Sequence, residues 1–300
     1  MRVFITGATG FIGSALVPEL IAAGHQVLGL SRNDAGAQSL LAAGAEVHRG
    51  DIYDLESIRS GAAGADAVIH LAFNHDFSKF VENCETDRRV IETIGDVLAG
   101  SDRMFLVTSG VAMGSAKPGH LITEDDPPVS SSVIPRAASE EEAARVASRG
   151  VRVAMVRLPQ VHDTRKQGLV SYAIQVARQK GVAAYVGEGK NGWAAAPVHD
   201  VAHLYRLALE KGEGNVRYSA VAEEGVPARD IAEAIGRGLK IPAVSITPEE
   251  AGAHFGWLGN FVQWNIVASS AKTRQALGWN PTGPGLLTDL ANMDYSQALS

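Results

Sequence analysis

The sequence Thr6-Gly7-Ala8-Thr9-Gly10-Phe11-Ile12-Gly13 decides which fold this chain is expected to adopt. The apolar residues 3–5 before it are typical of a buried parallel strand, and residues 11–23 have the periodicity of an amphipathic helix. Glycines at positions 7, 10 and 13 allow a tight turn, a close approach of backbone N–H groups to a pyrophosphate, and close packing of the helix on the strand. Because this turn joins a first strand to a first helix, it predicts a nucleotide-binding site rather than an ordinary glycine-rich turn.

Length and composition are those of a globular protein of enzyme size. The chain has 300 residues, of which 46% are hydrophobic and 20% are charged, and its net charge is −6 without a basic block. This charge pattern argues against nucleic acid or an anionic membrane as a partner. The chain has one cysteine, Cys84, no apolar run near the ~18 residues of a membrane span, and no charged-then-apolar leader. We therefore expect a disulfide-free cytoplasmic protein, and we predict no metal site.

The spacing of the glycines, G-x-x-G-x-x-G, differs from the G-x-G-x-x-G of most two-domain dehydrogenases. It resembles the signature of the extended and atypical short-chain dehydrogenase/reductases, a superfamily that also contains sugar-nucleotide epimerases. Strand and helix patterns alternate along the following residues, which predicts an α/β fold with a Rossmann-type doubly wound parallel sheet. We expect residues 1–157, with parts of 195–222, to form an NADP-binding domain. Residues 158–194 and 223–300 are expected to form a smaller C-terminal α/β lobe that binds the substrate.

The end of the second predicted strand favours NADP over NAD. An NAD enzyme usually carries Asp or Glu about 20 residues beyond the glycine turn, where the carboxylate binds the ribose 2′-hydroxyl. Ser31 and Arg32 occupy this position here. A hydroxyl followed by a guanidinium accepts a 2′-phosphate and pairs with its charge. The alternative for Arg32 is a solvated surface arginine.

The resemblance implies further contacts with NADP(H). An Asp-Ile pair after the third strand would hold the adenine, a segment similar to the family's H-x-A motif would line the cofactor after the fourth strand, and a proline loop would press on the nicotinamide. Asp51 is alternatively a helix N-cap for the segment that starts at residue 55. Together with the glycine turn, the predicted cofactor-binding residues are Gly7, Thr9, Gly10, Phe11, Ile12, Gly13, Ser31, Arg32, Asp51, Ile52, Leu71, Ala72, Phe73, Pro159 and Val161.

The catalytic positions of the family are only partly retained. Residues 108–114, Thr-Ser-Gly-Val-Ala-Met-Gly, look like the family's T-S-S-x-x-x-G run, which makes Ser109 the serine that donates to a substrate oxygen. The alternative is a turn serine. The family's acid is a tyrosine with a lysine four residues later, and no tyrosine of this chain has that partner. Where the family has P-Y-x-x-S-K, this chain has Arg136 in place of the tyrosine and Glu140 in place of the lysine.

These replacements change the chemistry that the site can perform. The guanidinium of Arg136 is a poor proton donor at pH 7 but binds a carboxylate or steadies a developing oxyanion. The alternative is an i,i+4 ion pair between Arg136 and Glu140. His75 follows the fourth strand beside Asp76, which would orient the imidazole and raise its pKa, so that His75 is our candidate for the acid. The alternative is a solvated loop histidine. An imine substrate would need no acid, and Glu140 would stabilise its cation.

The sequence thus predicts an NADP-dependent oxidoreductase that transfers hydride between NADPH and a small carbonyl or imine substrate. The alternatives are an NADP(H)-sensing regulatory protein without catalytic activity and, more weakly, an epimerase or dehydratase. The aromatic-rich residues 255–264 are expected to wall an apolar pocket, to form the contact of a homodimer, or to belong to the core of the smaller lobe. A small-molecule substrate is the predicted partner.

Overall fold

A computed structural model describes residues 1–114 and 119–296 of the chain. The last four residues of the predicted smaller lobe, 297–300, lie outside this description. The strands are β1 (Arg2–Thr6), β2 (Gln26–Ser31), β3 (Glu46–Arg49), β4 (Ala67–His70), β5 (Phe105–Gly110), β6 (Val153–Leu158), β7 (Gln160–His162), β8 (Ala183–Val186), β9 (Gly192–Pro197), β10 (Val216–Ser219), β11 (Glu223–Pro227) and β12 (Ala243–Ile246). The α-helices are α1 (Phe11–Ala22), α2 (Asp34–Ala42), α3 (Leu55–Ala63), α4 (Phe80–Leu98), α5 (Ala138–Ser148), α6 (Val170–Lys180), α7 (Val198–Lys211), α8 (Ala228–Leu239), α9 (Ala251–Phe255), α10 (Ala271–Leu277) and α11 (Leu286–Asn292).

Seven strands form one parallel sheet, in the order β10-β6-β5-β4-β1-β2-β3. The strands alternate with helices, so the predicted Rossmann-type doubly wound fold is confirmed. The chain reverses its direction of winding between β1 and β4, which are neighbours in the sheet. Ligands of such sheets bind beyond the carboxyl ends of the strands at this point, so the fold itself indicates where a site belongs.

Each face of this sheet has its own hydrophobic core. The side chains of β1 alternate between the faces: Val3 and Ile5 pack with residues of α1 and α7, whereas Phe4 packs with residues of α3, α4 and α5. All three side chains are fully buried. A strand covered on both faces has no solvent side, which explains the continuous apolar run at the start of the chain.

The smaller lobe contains the remaining strands. One sheet has the order β11-β9-β7, and β12 pairs with β8 in a second one. Their shared core includes the apolar faces of α6, α8 and α11. These elements come from the predicted segments 158–194 and 223–300, except that β9 extends into the predicted insert 195–222 of the first domain. Within the two ranges that the structure describes, no helix combines the length and apolar character that crossing a membrane requires.

Gly7 fixes the turn at the end of β1. Its φ is +71°, a left-handed conformation that L-residues rarely adopt, and a Cβ at this position would lie 2.7 Å from the backbone nitrogen of Ala72. The carboxyl ends of β1 and β4 therefore approach one another as closely as they do only because position 7 has no side chain.

We predict that Gly7→Ala destabilises the protein by about 3 kcal/mol, because it combines backbone strain with a clash against the backbone after β4. Gly100→Ala is the matched control, since Gly100 has a φ of +75° but open space around its would-be Cβ. The control should cost about 1 kcal/mol. Urea denaturation of both variants measures the difference, and equal losses would contradict the proposed close approach of β1 and β4.

Candidate active site

The glycine turn leaves the start of α1 open for an anion. Gly10 precedes the helix without a side-chain cap, and the backbone N–H groups of residues 11–13 donate to no described residue. A Cβ on Gly13 would overlap the carbonyl oxygen of Gly7. Free N–H groups at the positive end of a helix dipole, behind a turn without side chains, fit a pyrophosphate. The predicted residues Gly7, Thr9, Gly10, Phe11, Ile12 and Gly13 all lie in or beside this turn.

The end of β2 retains a free arginine. Arg32 is exposed and makes no hydrogen bond or ion pair within residues 1–114 and 119–296. Ser31 is buried, and its hydroxyl donates to the carbonyl of Asn33 at 2.9 Å, so it supports the turn into α2. The nearby Asp34 carboxylate pairs with Arg49 at 2.8 Å. The guanidinium of Arg32 is therefore available for a phosphate, whereas the Ser31 hydroxyl already has an acceptor.

Asp51 does not cap the helix that follows it. The N-cap of α3 is Asp54, whose carboxylate accepts from the backbone N–H groups of Glu56 and Ser57 at 3.2 and 3.3 Å. The N-cap alternative for Asp51 is wrong, because Asp51 lies one turn too early. Its Oδ1 accepts only from the N–H of Tyr53, at 3.1 Å. The predicted contact of Asp51 and Ile52 with adenine stays a prediction.

The other predicted cofactor contacts follow β4 and β6. Leu71 and Ala72 are held against β1, since their N–H groups donate to the carbonyl and hydroxyl oxygens of Thr6, both at 3.2 Å. The ring of Phe73 lies under the guanidinium of an arginine described below. Val161 is buried in the large core, and Pro159 is half-buried beside it. The topology brings these residues to the carboxyl edge of the sheet, and their contacts with the nicotinamide stay predictions.

Arg136 is held by a buried carboxylate. It precedes α5, and its Nη1 donates to Asp87 Oδ2 of α4 at 2.9 Å and to the hydroxyl of Ser139, while its Nη2 donates to the carbonyl oxygen of Thr108 at 3.0 Å. The guanidinium carbon lies 4.3 Å from the centre of the Phe73 ring, a cation–π distance. The side chain remains 16% exposed. Arg136 thus reaches the carboxyl end of β5 in a fixed orientation.

The same carboxylate connects Arg136 to the glycine turn. Asp87 Oδ1 lies 2.9 Å from His70 Nε2, and His70 Nδ1 lies 2.6 Å from the hydroxyl of Thr6, the residue before Gly7. Burial would raise the pKa of Asp87, but the positive charge of Arg136 and the contacts with His70 and Ser139 lower it to about 2. Asp87 is therefore ionised at neutral pH, and it serves as the counter-ion of Arg136.

Glu140 does not pair with Arg136. Its buried carboxylate forms a two-pronged ion pair with Arg157 of β6, with Nε to Oε1 at 2.9 Å and Nη2 to Oε2 at 2.8 Å, and Arg217 of β10 lies 3.4 Å away. The predicted i,i+4 ion pair is wrong, because two arginines on neighbouring strands bind Glu140 instead. Ser109 also donates its hydroxyl to Glu140 Oε1, at 2.7 Å. In this arrangement the hydroxyl hydrogen of Ser109 is already committed, and its donation to a substrate stays a prediction.

His75 lies beside Phe73, with ring centres 5.3 Å apart, in the space around Phe73, His75 and Arg136 that we call the cleft. Although the residue is exposed, desolvation by neighbouring protein atoms, together with the positive charges of Arg136 and Lys166, lowers the pKa of its imidazole. Asp76 accepts from Ser78 rather than from the imidazole. The prediction that Asp76 raises the pKa of His75 is therefore wrong, and the fraction of His75 that carries a proton at neutral pH is smaller than for a solvated histidine. Its role as the acid stays a prediction.

An aromatic contact joins the two lobes beside this cleft. The ring of Phe77, in the segment after β4, stacks on Trp257 of the smaller lobe with ring centres 3.9 Å apart and planes inclined by 11°. Tyr172 of α6 meets both rings edge to face. Trp257 remains 41% exposed. Within residues 255–264, Phe255 and Leu258 are buried, and Val262 and Trp264 pack against the core of the smaller lobe, which supports the core alternative. An apolar pocket wall stays a prediction.

The sequence matches the model of a known protein family. A model of the NAD dependent epimerase/dehydratase family matches residues 3–220. The chain belongs to this family. Two relatives resemble this epimerase/dehydratase family member over nearly its whole length: the uncharacterized protein C2A9.02 of Schizosaccharomyces pombe, 46% identical over 98% of this chain and 100% of the relative, and the uncharacterized protein YLL056C of Saccharomyces cerevisiae, 43% identical over 97% and 98%.

Solved structures show the same fold. The UDP-glucose 4-epimerase of Thermus thermophilus, in complex with NAD, superposes with a TM-score of 0.75 at 22% identity and covers 98% of both chains. This likeness confirms the fold, and the family model over residues 3–220 confirms the expected resemblance to the epimerase/dehydratase superfamily. At positions 136 and 140 the chain has an arginine and a glutamate, where the resemblance seen in the sequence implies a tyrosine and a lysine.

We predict that Glu140→Gln lowers the free energy of unfolding by about 3 kcal/mol, because it leaves the fully buried guanidinium of Arg157 without a counter-ion. Glu233→Gln is the control, since Glu233 pairs with Arg229 at 2.8 Å on the surface of α8. The control should change stability by less than about 0.5 kcal/mol. Urea denaturation measures both variants, and a loss for Glu140→Gln as small as that of the control would contradict a buried structural ion pair.

Proposed function

We propose that the protein is an NADP(H)-dependent oxidoreductase that reduces a small carbonyl compound. The observation that carries this proposal is the chain of contacts from the glycine turn through Thr6, His70 and Asp87 to Arg136. It links a turn that fits a pyrophosphate to a guanidinium at the carboxyl edge of the sheet. A cofactor and a polar substrate group would therefore meet at one edge, as is usual for doubly wound sheets.

When bound, NADPH supplies a hydride to the carbonyl carbon of the substrate. The carbonyl oxygen gains the electron pair of its π bond and needs positive charge beside it until it takes up a proton. Arg136 is the permanently charged group that would face this oxygen or a neighbouring oxyanion. We propose His75 as the proton donor, and its lowered pKa means that the protonated form is a minor species at neutral pH.

A protonated imine is not part of this proposal. The imine hypothesis needs Glu140 to stabilise the substrate cation, yet that carboxylate is buried and already neutralised by Arg157 and Arg217. Arg136 would also repel a cation. The charges beside the cleft therefore favour a substrate that develops or carries negative charge.

The experiment that tests the proposal mixes the purified protein with NADPH and follows absorbance with a panel of ketones, aldehydes and cyclic imines. We expect oxidation of NADPH with at least one carbonyl compound and none of the imines. Tight binding of NADPH without turnover of any compound would instead support an NADP(H)-sensing protein, and turnover of imines alone would contradict the assignment of Glu140.

The preference for NADPH is expected to depend on Arg32. Arg32→Ala should weaken the affinity for NADPH about 10- to 100-fold, because a charge-assisted contact with the 2′-phosphate is lost, while the affinity for NADH stays unchanged. Arg59→Ala is the control, since Arg59 lies on the surface of α3 and pairs only with Glu56. Fluorescence titrations with both nucleotides measure the affinities. Equal losses of affinity for NADPH and NADH would contradict a contact between Arg32 and the 2′-phosphate.

A further inference from the structure

Arg136 has hydrogen-bonding capacity that the protein does not use. A guanidinium carries five N–H bonds. Nη1 donates towards Asp87 and Ser139, and Nη2 donates to the carbonyl of Thr108. The N–H of Nε and the second N–H of Nη2 donate to no residue within the described ranges. These two nitrogens are neighbours on one edge of the guanidinium plane.

Neighbouring side chains hold the guanidinium of Arg136 in place but leave part of it exposed. The Phe73 ring covers one face of the guanidinium, and Asp87 lies fully buried behind it. The side chain nevertheless stays 16% exposed, at the carboxyl end of β5. His70 and Ser139 complete the contacts of the Asp87 carboxylate.

The cleft next to this arginine favours an anion. Both Arg136 and Lys166 act on His75 with positive charge. Two buried carboxylates near it are paired with cations: Asp87 binds Arg136, and Glu140 binds Arg157 and Arg217. The exposed Asp76 accepts from Ser78. A negative group that enters the cleft therefore meets paired carboxylates and the unused donors of a cation.

We propose that Arg136 binds a carboxylate of the substrate through Nε and Nη2, so that the substrate is a small oxo acid whose carboxylate lies beside the carbonyl to be reduced. Two donors on neighbouring nitrogens match the two oxygens of a carboxylate in spacing and charge. The inference rests on the proposed function for the identity of the reducible group. It concerns a separate contact, because the carboxylate keeps its charge throughout the reaction.

The first test measures binding without turnover. Oxamate, a carboxylate that resists reduction, is titrated into the protein saturated with NADPH and detected by the fluorescence of the nicotinamide. Arg136→Gln alone would leave the buried charge of Asp87 without its cation. The variant is therefore Asp87→Asn combined with Arg136→Gln, which removes both charges. With the variant also saturated with NADPH, we expect the affinity for oxamate to fall about 10- to 100-fold.

Two further variants make the binding test specific. Arg88→Gln is the matched control, since Arg88 lies next to Asp87 in α4 but pairs with Glu141 and Glu85. It should bind oxamate like the unaltered protein. Arg136→Lys keeps the charge but not the paired donors, and it should recover only part of the affinity. Equal binding of oxamate by all variants would overturn the proposal, as would a loss of NADPH affinity with oxamate binding unchanged.

The second test uses turnover. Pyruvate, acetoacetate and phenylglyoxylate are compared with their methyl esters in the NADPH assay. We expect kcat/KM for an acid to exceed that for its ester about 100-fold, and the ratio to approach one in the double variant. Equal reduction of acid and ester would overturn this inference and leave the proposed function intact. Oxamate binding that depends on Arg136, without reduction of any carbonyl, would uphold the carboxylate site and overturn the proposed function.

Discussion

The buried carboxylate of Asp87 is the charge on which the carboxyl edge of the large sheet depends. An isolated carboxylate in such a position would be costly, and it is stable here because Arg136, His70 and Ser139 surround it. Each partner comes from a different part of the chain: His70 ends β4, Arg136 and Ser139 begin the α5 region, and Asp87 itself lies in α4. One charge therefore fixes three elements relative to the glycine turn.

A second buried ion pair explains how a carboxylate is accommodated at position 140. The resemblance seen in the sequence implies a lysine at this position. Here it carries an anion that is bound by Arg157 of β6 and Arg217 of β10. A lysine at this position would face two arginines, which is electrostatically unfavourable.

Local patterns in the sequence predicted the parts of the structure that depend on neighbouring residues. The glycine turn, the helix that starts at Phe11 and the alternation of strands and helices all follow from short-range constraints, and the structure confirms the fold. The partners of Arg136 and Glu140 lie 49 residues and 17 residues away along the chain, and no spacing rule connects them. One signal for Asp87 was available, because residues 84, 87 and 91 recur on one face of a helix that is otherwise apolar there. A carboxylate on that buried face requires a cation, and Arg136 is that cation.

The stacked rings of Phe77 and Trp257 also bear on how the cleft opens. They belong to different lobes and lie in direct contact at its side. Any rotation that moves the lobes apart must first separate this pair and wet both rings, at a cost of about 1 kcal/mol beyond the exposed area. The contact therefore opposes any motion that separates the lobes, and the indole of Trp257 lies where such a motion would change its environment.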